Sequence, residues 1–139
     1  MALALDEIRP GIVVHLDTAI LLNDPRCVYT PTGFFRSGYF ICIAIGPGST
    51  SWLHVTSKPG QTGSRLAIPP RWRGGGSLRW RKGPCFVSDV RAPHVGRDVV
   101  FCDAARDELP ILPTGRPYVT ADALDAIERE ISLWKRLTT

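Results

Sequence analysis

Residues 36–57 read R-S-G-Y-F-I-C-I-A-I-G-P-G-S-T-S-W-L-H-V-T-S, from Arg36 to Ser57. Two apolar runs rich in β-branched and aromatic residues, Tyr39–Ile45 and Ser51–Thr56, flank Gly46-Pro47-Gly48. Such runs suit buried strands, and Gly and Pro supply the chemistry of the turn between them. The stretch therefore predicts a β-hairpin at the core of a small β-barrel. Arg36 stands before its first strand, and the hydroxyl pair Thr56-Ser57 ends its second.

Upstream, Gly11–Asp17 (G-I-V-V-H-L-D) reads as a first strand, with His15 a strand residue facing a polar edge. Residues 18–35 carry the turn signals Asn23-Asp24-Pro25 and Pro31-Thr32-Gly33, so a long loop is expected, with a short strand at Cys27–Tyr29. Downstream, Lys58–Gly83 is rich in Pro and Gly and holds two R-W-R triplets, Arg71-Trp72-Arg73 and Arg79-Trp80-Arg81. In strand-like geometry each triplet would keep its arginines wet on one face and turn its Trp inward. On a loop, the same residues could stack on exposed bases. Further strands are expected at Pro84–Val90 and Asp98–Cys102, a short one at Arg65–Ile68, and a connector at Asp107–Pro117. The last element, Thr120–Leu137, reads as a helix: Thr120 is a suitable N-cap, and Leu124, Ile127, Ile131 and Trp134 form one apolar stripe.

A chain of 139 residues is expected to form one domain (1–139) with a core that needs no covalent staples. No apolar run approaches the ~20 residues of a membrane helix, and the first ten residues lack a secretory pattern, which together predict a cytoplasmic protein. The cysteines, Cys27, Cys42, Cys85 and Cys102, are widely spaced and read as buried thiols; a zinc site with His15, His54 or His94 lacks the tight ligand spacing of common zinc modules. No metal or other cofactor is expected. The net charge is +4, yet residues 25–88 contain no Asp or Glu and nine Lys or Arg, the pattern expected where a polyanion binds.

The order of these features resembles the MazF/PemK family of toxin ribonucleases over most of the chain. Arg9-Pro10-Gly11-Ile12-Val13 occupies the place of the family's opening to its first strand, and Arg36-Ser37-Gly38 precedes the next apolar strand. His54-Val55-Thr56-Ser57 matches a strand ending in Thr-Ser, and Val90-Arg91-Ala92 resembles a later basic element. Three positions depart from the pattern: Ile12 replaces an acidic residue, Ser37 a proline, and Ser88 a carboxylate.

The resemblance implies a mainly β, α+β fold, an SH3-like barrel with a C-terminal amphipathic helix. It implies a metal-independent endoribonuclease toxin cleaving single-stranded RNA through attack of the 2′-OH, a homodimer, and an acidic antitoxin protein as partner. By the same analogy Arg36 and Thr56 are the catalytic residues, Arg36 neutralising phosphoryl charge and a candidate for proton transfer, and Thr56 donating a hydrogen bond to the phosphate. RNA binding is expected from Arg71, Trp72, Arg73, Arg79, Trp80 and Arg81. His54 shares the side of its strand with Thr56 and is a candidate acid or base, and Asp89 could orient Arg91 or Arg36. Two alternatives stay open: a catalytically silent relative that binds nucleic acid or inhibits a protein partner, and a gyrase-poisoning toxin similar to CcdB.

Overall fold

In a computed structural model, the protein is described for residues 3–23, 27–29, 38–57, 66–106 and 115–137. Its centre is the predicted hairpin. β3 (Gly38–Gly46) and β4 (Ser49–Thr56) pair antiparallel through a tight turn at Pro47-Gly48. Gly48 has φ +72, a left-handed conformation that a side chain would resist. β1 (Val13–Leu16) pairs with β3, placing Val13 opposite Ile41 and His15 opposite Tyr39.

The other strands are short: β2 (Cys27–Tyr29), β5 (Arg73–Gly74), β6 (Phe86–Val87), β7 (His94–Gly96), β8 (Ala105–Arg106) and β9 (Tyr118–Val119). The main sheet runs β2-β7-β4-β3-β1-β8, with β6 also on β4, while β5 and β9 form a separate pair. All pairings are antiparallel. Among the described residues the sheet is open, ending in β2 and β8, where the sequence reading expects a closed barrel. The architecture is mixed α/β, with a C-terminal helix.

Among the described residues four α-helices accompany the strands: α1 (Thr18–Asn23), α2 (Leu78–Lys82), α3 (Asp98–Ala104) and α4 (Ala121–Leu137). The hairpin separates two cores. On one side Val14, Leu16, Phe40, Cys42 and Trp52 pack with Leu21 of α1 and with Val100 and Phe101 of α3. On the other, Val13, Ile41, Leu53 and Val55 pack with Trp80 of α2 and with Ala123 and Ile127 of α4. Alternate residues of each strand thus enter opposite cores. Both faces are covered, which explains why the hairpin reads as continuous apolar runs rather than an apolar–polar alternation.

Helix α4 starts one residue after Thr120, whose Oγ1 accepts a hydrogen bond from the Ala123 N–H at 3.4 Å. Its expected stripe, Leu124, Ile127, Ile131 and Trp134, is the face that packs on the second core. Four local readings are corrected. Asp98–Cys102 lies in α3 rather than a strand, because Phe101 stacks on Trp52 (centroids 5.3 Å apart) and the segment covers the sheet. Residues 18–23 form α1 where a loop is expected. Only Phe86–Val87 of the strand expected at Pro84–Val90 pairs as one. Of the expected short strand at Arg65–Ile68, Arg65 lies outside the described residues and only an isolated bridge at Ala67 forms.

Neither R-W-R triplet is a strand. Pro69-Pro70 leads into a 3-10 turn, Pro70–Trp72, before Arg73 enters β5. The second triplet lies in α2, where Ser77 caps the helix by accepting from the Trp80 N–H at 3.1 Å. Between them Gly75 and Gly76 both hold positive φ. A Cβ on Gly75 would lie 2.2 Å from the Arg116 carbonyl oxygen, so only glycine lets this turn approach the chain that follows.

Candidate functional site

One end of the hairpin opens into a cavity of about 450 Å3. β4 contributes His54 and Thr56, with Ser57 just after it; β3 contributes Gly38 and Tyr39; β1 contributes His15. Arg73 of β5, Arg79 and Trp80 of α2, and Cys85 also line the cavity. Among the described residues its lining contains two arginines, two histidines and four hydroxyl-bearing residues (Tyr39, Thr56, Ser57 and Ser77), and no Asp or Glu. Such a lining favours an anion.

His54 is 7% exposed and packs edge-on against Phe40, with ring centroids 5.1 Å apart. Its Nδ1 lies 2.5 Å from Ser88 Oγ, a hydrogen bond whose direction depends on the imidazole tautomer. Nε2 faces Gly38: a Cβ there would sit 3.0 Å away. The imidazole is therefore fixed at one nitrogen by a hydroxyl, while the ring borders the cavity. Ser88, which departs from the MazF/PemK pattern, is the residue that orients it.

The expected RNA-contacting residues divide into two groups. Arg73, Arg79 and Trp80 line the cavity together with Thr56; Arg71, Trp72 and Arg81 are not part of its lining. Arg71 lies 5.1 Å over the Trp72 ring, and Trp72 is half-buried against the second core. Trp80 is 5% exposed and donates from Nε1 to the Gly74 carbonyl at 3.0 Å, so it follows the inward-packed alternative. Arg73 is buried as well, against the expectation of wet arginines. Its Nη1 donates to the Trp80 carbonyl at 2.5 Å, and its guanidinium lies 5.6 Å from the Trp80 ring centroid.

Arg36 lies outside the described residues; the described chain resumes at Gly38, which borders the cavity. Asp89 pairs with Arg91 through two contacts, 2.9 and 3.0 Å, and Arg91 in turn covers Trp134 at 4.4 Å. Ile12 is a buried core residue, bridged to Tyr118. Cys42, Cys85 and Cys102 are free buried thiols, while Cys27 has no described side chain. Burial pushes the Cys85 thiol up to about 11, against the opposing pull of the Arg73 charge. Among the described residues, no three His, Cys, Asp or Glu side chains gather to hold a metal ion. No described helix is long and apolar enough to cross a membrane.

Two residues of this cavity escape the sequence reading. His15 is at the site rather than at a polar edge, and Tyr39 packs edge-on against it with centroids 5.6 Å apart. The available signal was spacing: His15 lies two residues from Val13 and so faces the same core.

Fold and site together define a mixed α/β protein with a cavity at one end of its central hairpin that is basic and, among the described residues, free of carboxylates. No protein-family model matches the chain, and no curated protein or solved structure matches it.

Proposed function

We propose that the protein is an endoribonuclease acting on single-stranded RNA, with its reaction centre beside Thr56 and His54. One observation carries this reading: Thr56, Arg79, Arg73 and an oriented imidazole line a single cavity that has no carboxylate among its described lining residues. Cleavage through the substrate's own 2′-OH has three needs. A base removes the 2′ proton as that oxygen bonds to phosphorus, fixed donors hold the charge gathering on the non-bridging oxygens, and an acid protonates the departing 5′ oxygen. Imidazole can perform the proton transfers near neutral pH. The Thr56 hydroxyl and the Arg79 guanidinium supply donors of the kind a phosphoryl group needs. The products are a 2′,3′-cyclic phosphate and a free 5′-hydroxyl, with every proton accounted for.

The same proposal carries the MazF/PemK likeness, with its SH3-like barrel, homodimeric state, acidic antitoxin and the role of Arg36. A catalytically silent binder is the second reading, favoured by Ile12, an apolar core residue where the family pattern has an acidic one.

Long single-stranded RNA in EDTA separates the two. Cleavage by wild type, reduced about 100-fold in Thr56→Ala, supports the nuclease, since one fixed donor to a developing oxyanion is worth about that factor. RNA binding that weakens with salt, without cleavage, supports the silent binder. A salt-independent response removes nucleic acid from both readings.

A further inference from the structure

Three residues that line the cavity each carry a buried polar atom without a hydrogen-bond partner among the described residues: Arg73 at Nε, Tyr39 at its hydroxyl and His15 at Nδ1. Their side chains are contiguous. His15 packs on Tyr39, Tyr39 lies 6.0 Å from Trp80 between ring centroids, and Arg73 lies over Trp80. His15, Tyr39 and Arg73 lie on β1, β3 and β5, whereas Thr56 and His54 lie on β4. Buried polar groups are normally satisfied, so three unmatched ones on residues that line one cavity call for an explanation.

The charge of Arg73 sharpens the point. It is 8% exposed, and no Asp or Glu pairs with it among the described residues. The thiol of Cys85, which feels the Arg73 charge, is held protonated by burial and supplies no countercharge. A buried cation without a partner is unfavourable unless something else brings the opposite charge. Guanidinium and phenol donate hydrogen bonds, and imidazole can do so from the nitrogen it protonates; together they suit a tetrahedral oxyanion better than a planar amide or a sugar.

We infer that the Arg73–Tyr39–His15 wall is a phosphate-binding subsite. It deepens the nuclease reading and rests on it for one point, that the bound group is a phosphate of the RNA backbone next to the one cleaved. The cavity's volume of about 450 Å3 leaves room for more than one phosphate group. On this assignment Arg73, Tyr39 and His15 set the register of the strand, while Thr56 and His54 meet the reacting phosphate.

The test uses inorganic phosphate titrated at constant ionic strength, read by calorimetry and by melting temperature. Wild type, Tyr39→Phe, Arg73→Lys and Thr56→Ala are compared. Tyr39→Phe removes only an unpartnered hydroxyl, so the fold is retained. Loss of a hydrogen bond to a charged group should weaken phosphate binding roughly 10-fold. Arg73→Lys should weaken it at least as much, and Thr56→Ala should leave the tightest binding event within about 2-fold. Equal binding by wild type and Tyr39→Phe overturns the assignment. So does loss of binding in Thr56→Ala alone, or absence of phosphate binding altogether. RNA cleavage is not read here: Tyr39-dependent phosphate binding by a protein that cuts no RNA would leave the subsite standing and remove the nuclease reading.

Discussion

Acid should destabilise this protein through His94. The residue lies in β7, opposite Trp52 of β4, 1% exposed and edge-on to Phe40 with centroids 4.9 Å apart. Burial disfavours the charged imidazole and pushes its pKa down from 6.5 to about 4. Below pH 6.5 the unfolded chain takes up a proton at this position, while the folded chain stays neutral until about pH 4. The unfolded state therefore binds more protons in that window, and stability falls as pH falls through it. A separation of some 2.5 pH units corresponds to roughly 3 kcal/mol when fully expressed, and most of that is lost by about pH 4.5. For a domain of ordinary stability, about 5–15 kcal/mol, this is a large share. Urea unfolding of wild type and His94→Gln at pH 7.5 and 4.5 isolates the effect, because every other ionisable group is common to both proteins. The gap between the two proteins should narrow or reverse by roughly 2–3 kcal/mol at the lower pH. Parallel pH dependence in both would refute the assignment of acid sensitivity to His94.

Three further outcomes follow from local geometry. Gly75→Ala must place a Cβ against the Arg116 carbonyl at positive φ, so urea unfolding should show a loss of at least about 1–2 kcal/mol. Ser88→Ala frees the His54 imidazole at Nδ1; if His54 moves protons, kcat on RNA should fall about 10-fold with KM little changed, and the pH profile of kcat should shift. The Cys85 thiol, raised to about 11, should resist alkylation at pH 8 in the folded protein and react on addition of denaturant, as quenched mass spectrometry of the labelled protein would record.

The hairpin and α4 were legible because their signals are local. Apolar runs interrupted by Gly46-Pro47-Gly48 allow little else, and the 124/127/131/134 stripe has helical period. Val99-Val100-Phe101-Cys102 misled because β-branched and aromatic residues favour strands, whereas here the tertiary demand to cover Trp52 prevailed. The R-W-R triplets misled for a different reason. Their conformation is set by Pro69-Pro70 and by the Ser77 cap, outside the triplets themselves. Thr56 and His54 could be found from their position at a strand end. Arg73 was among the residues expected to meet RNA, but its meeting with His15 and Tyr39 could not be read, since it depends on the β1–β3 register and on the return of β5 from a different part of the chain.

The covering of both faces of the hairpin makes it a partition as well as a scaffold. Residues on its two sides answer to different neighbours: Phe40 and Trp52 to α1 and α3, Ile41 and Leu53 to α2 and α4. Changes confined to one compartment meet only the backbone of the other, so their effects should combine almost independently. Sequence drift can therefore remodel the packing behind α1 and α3 while the compartment that holds Trp80 and Cys85 keeps its shape. The strand that divides the cores also lets them evolve at separate rates.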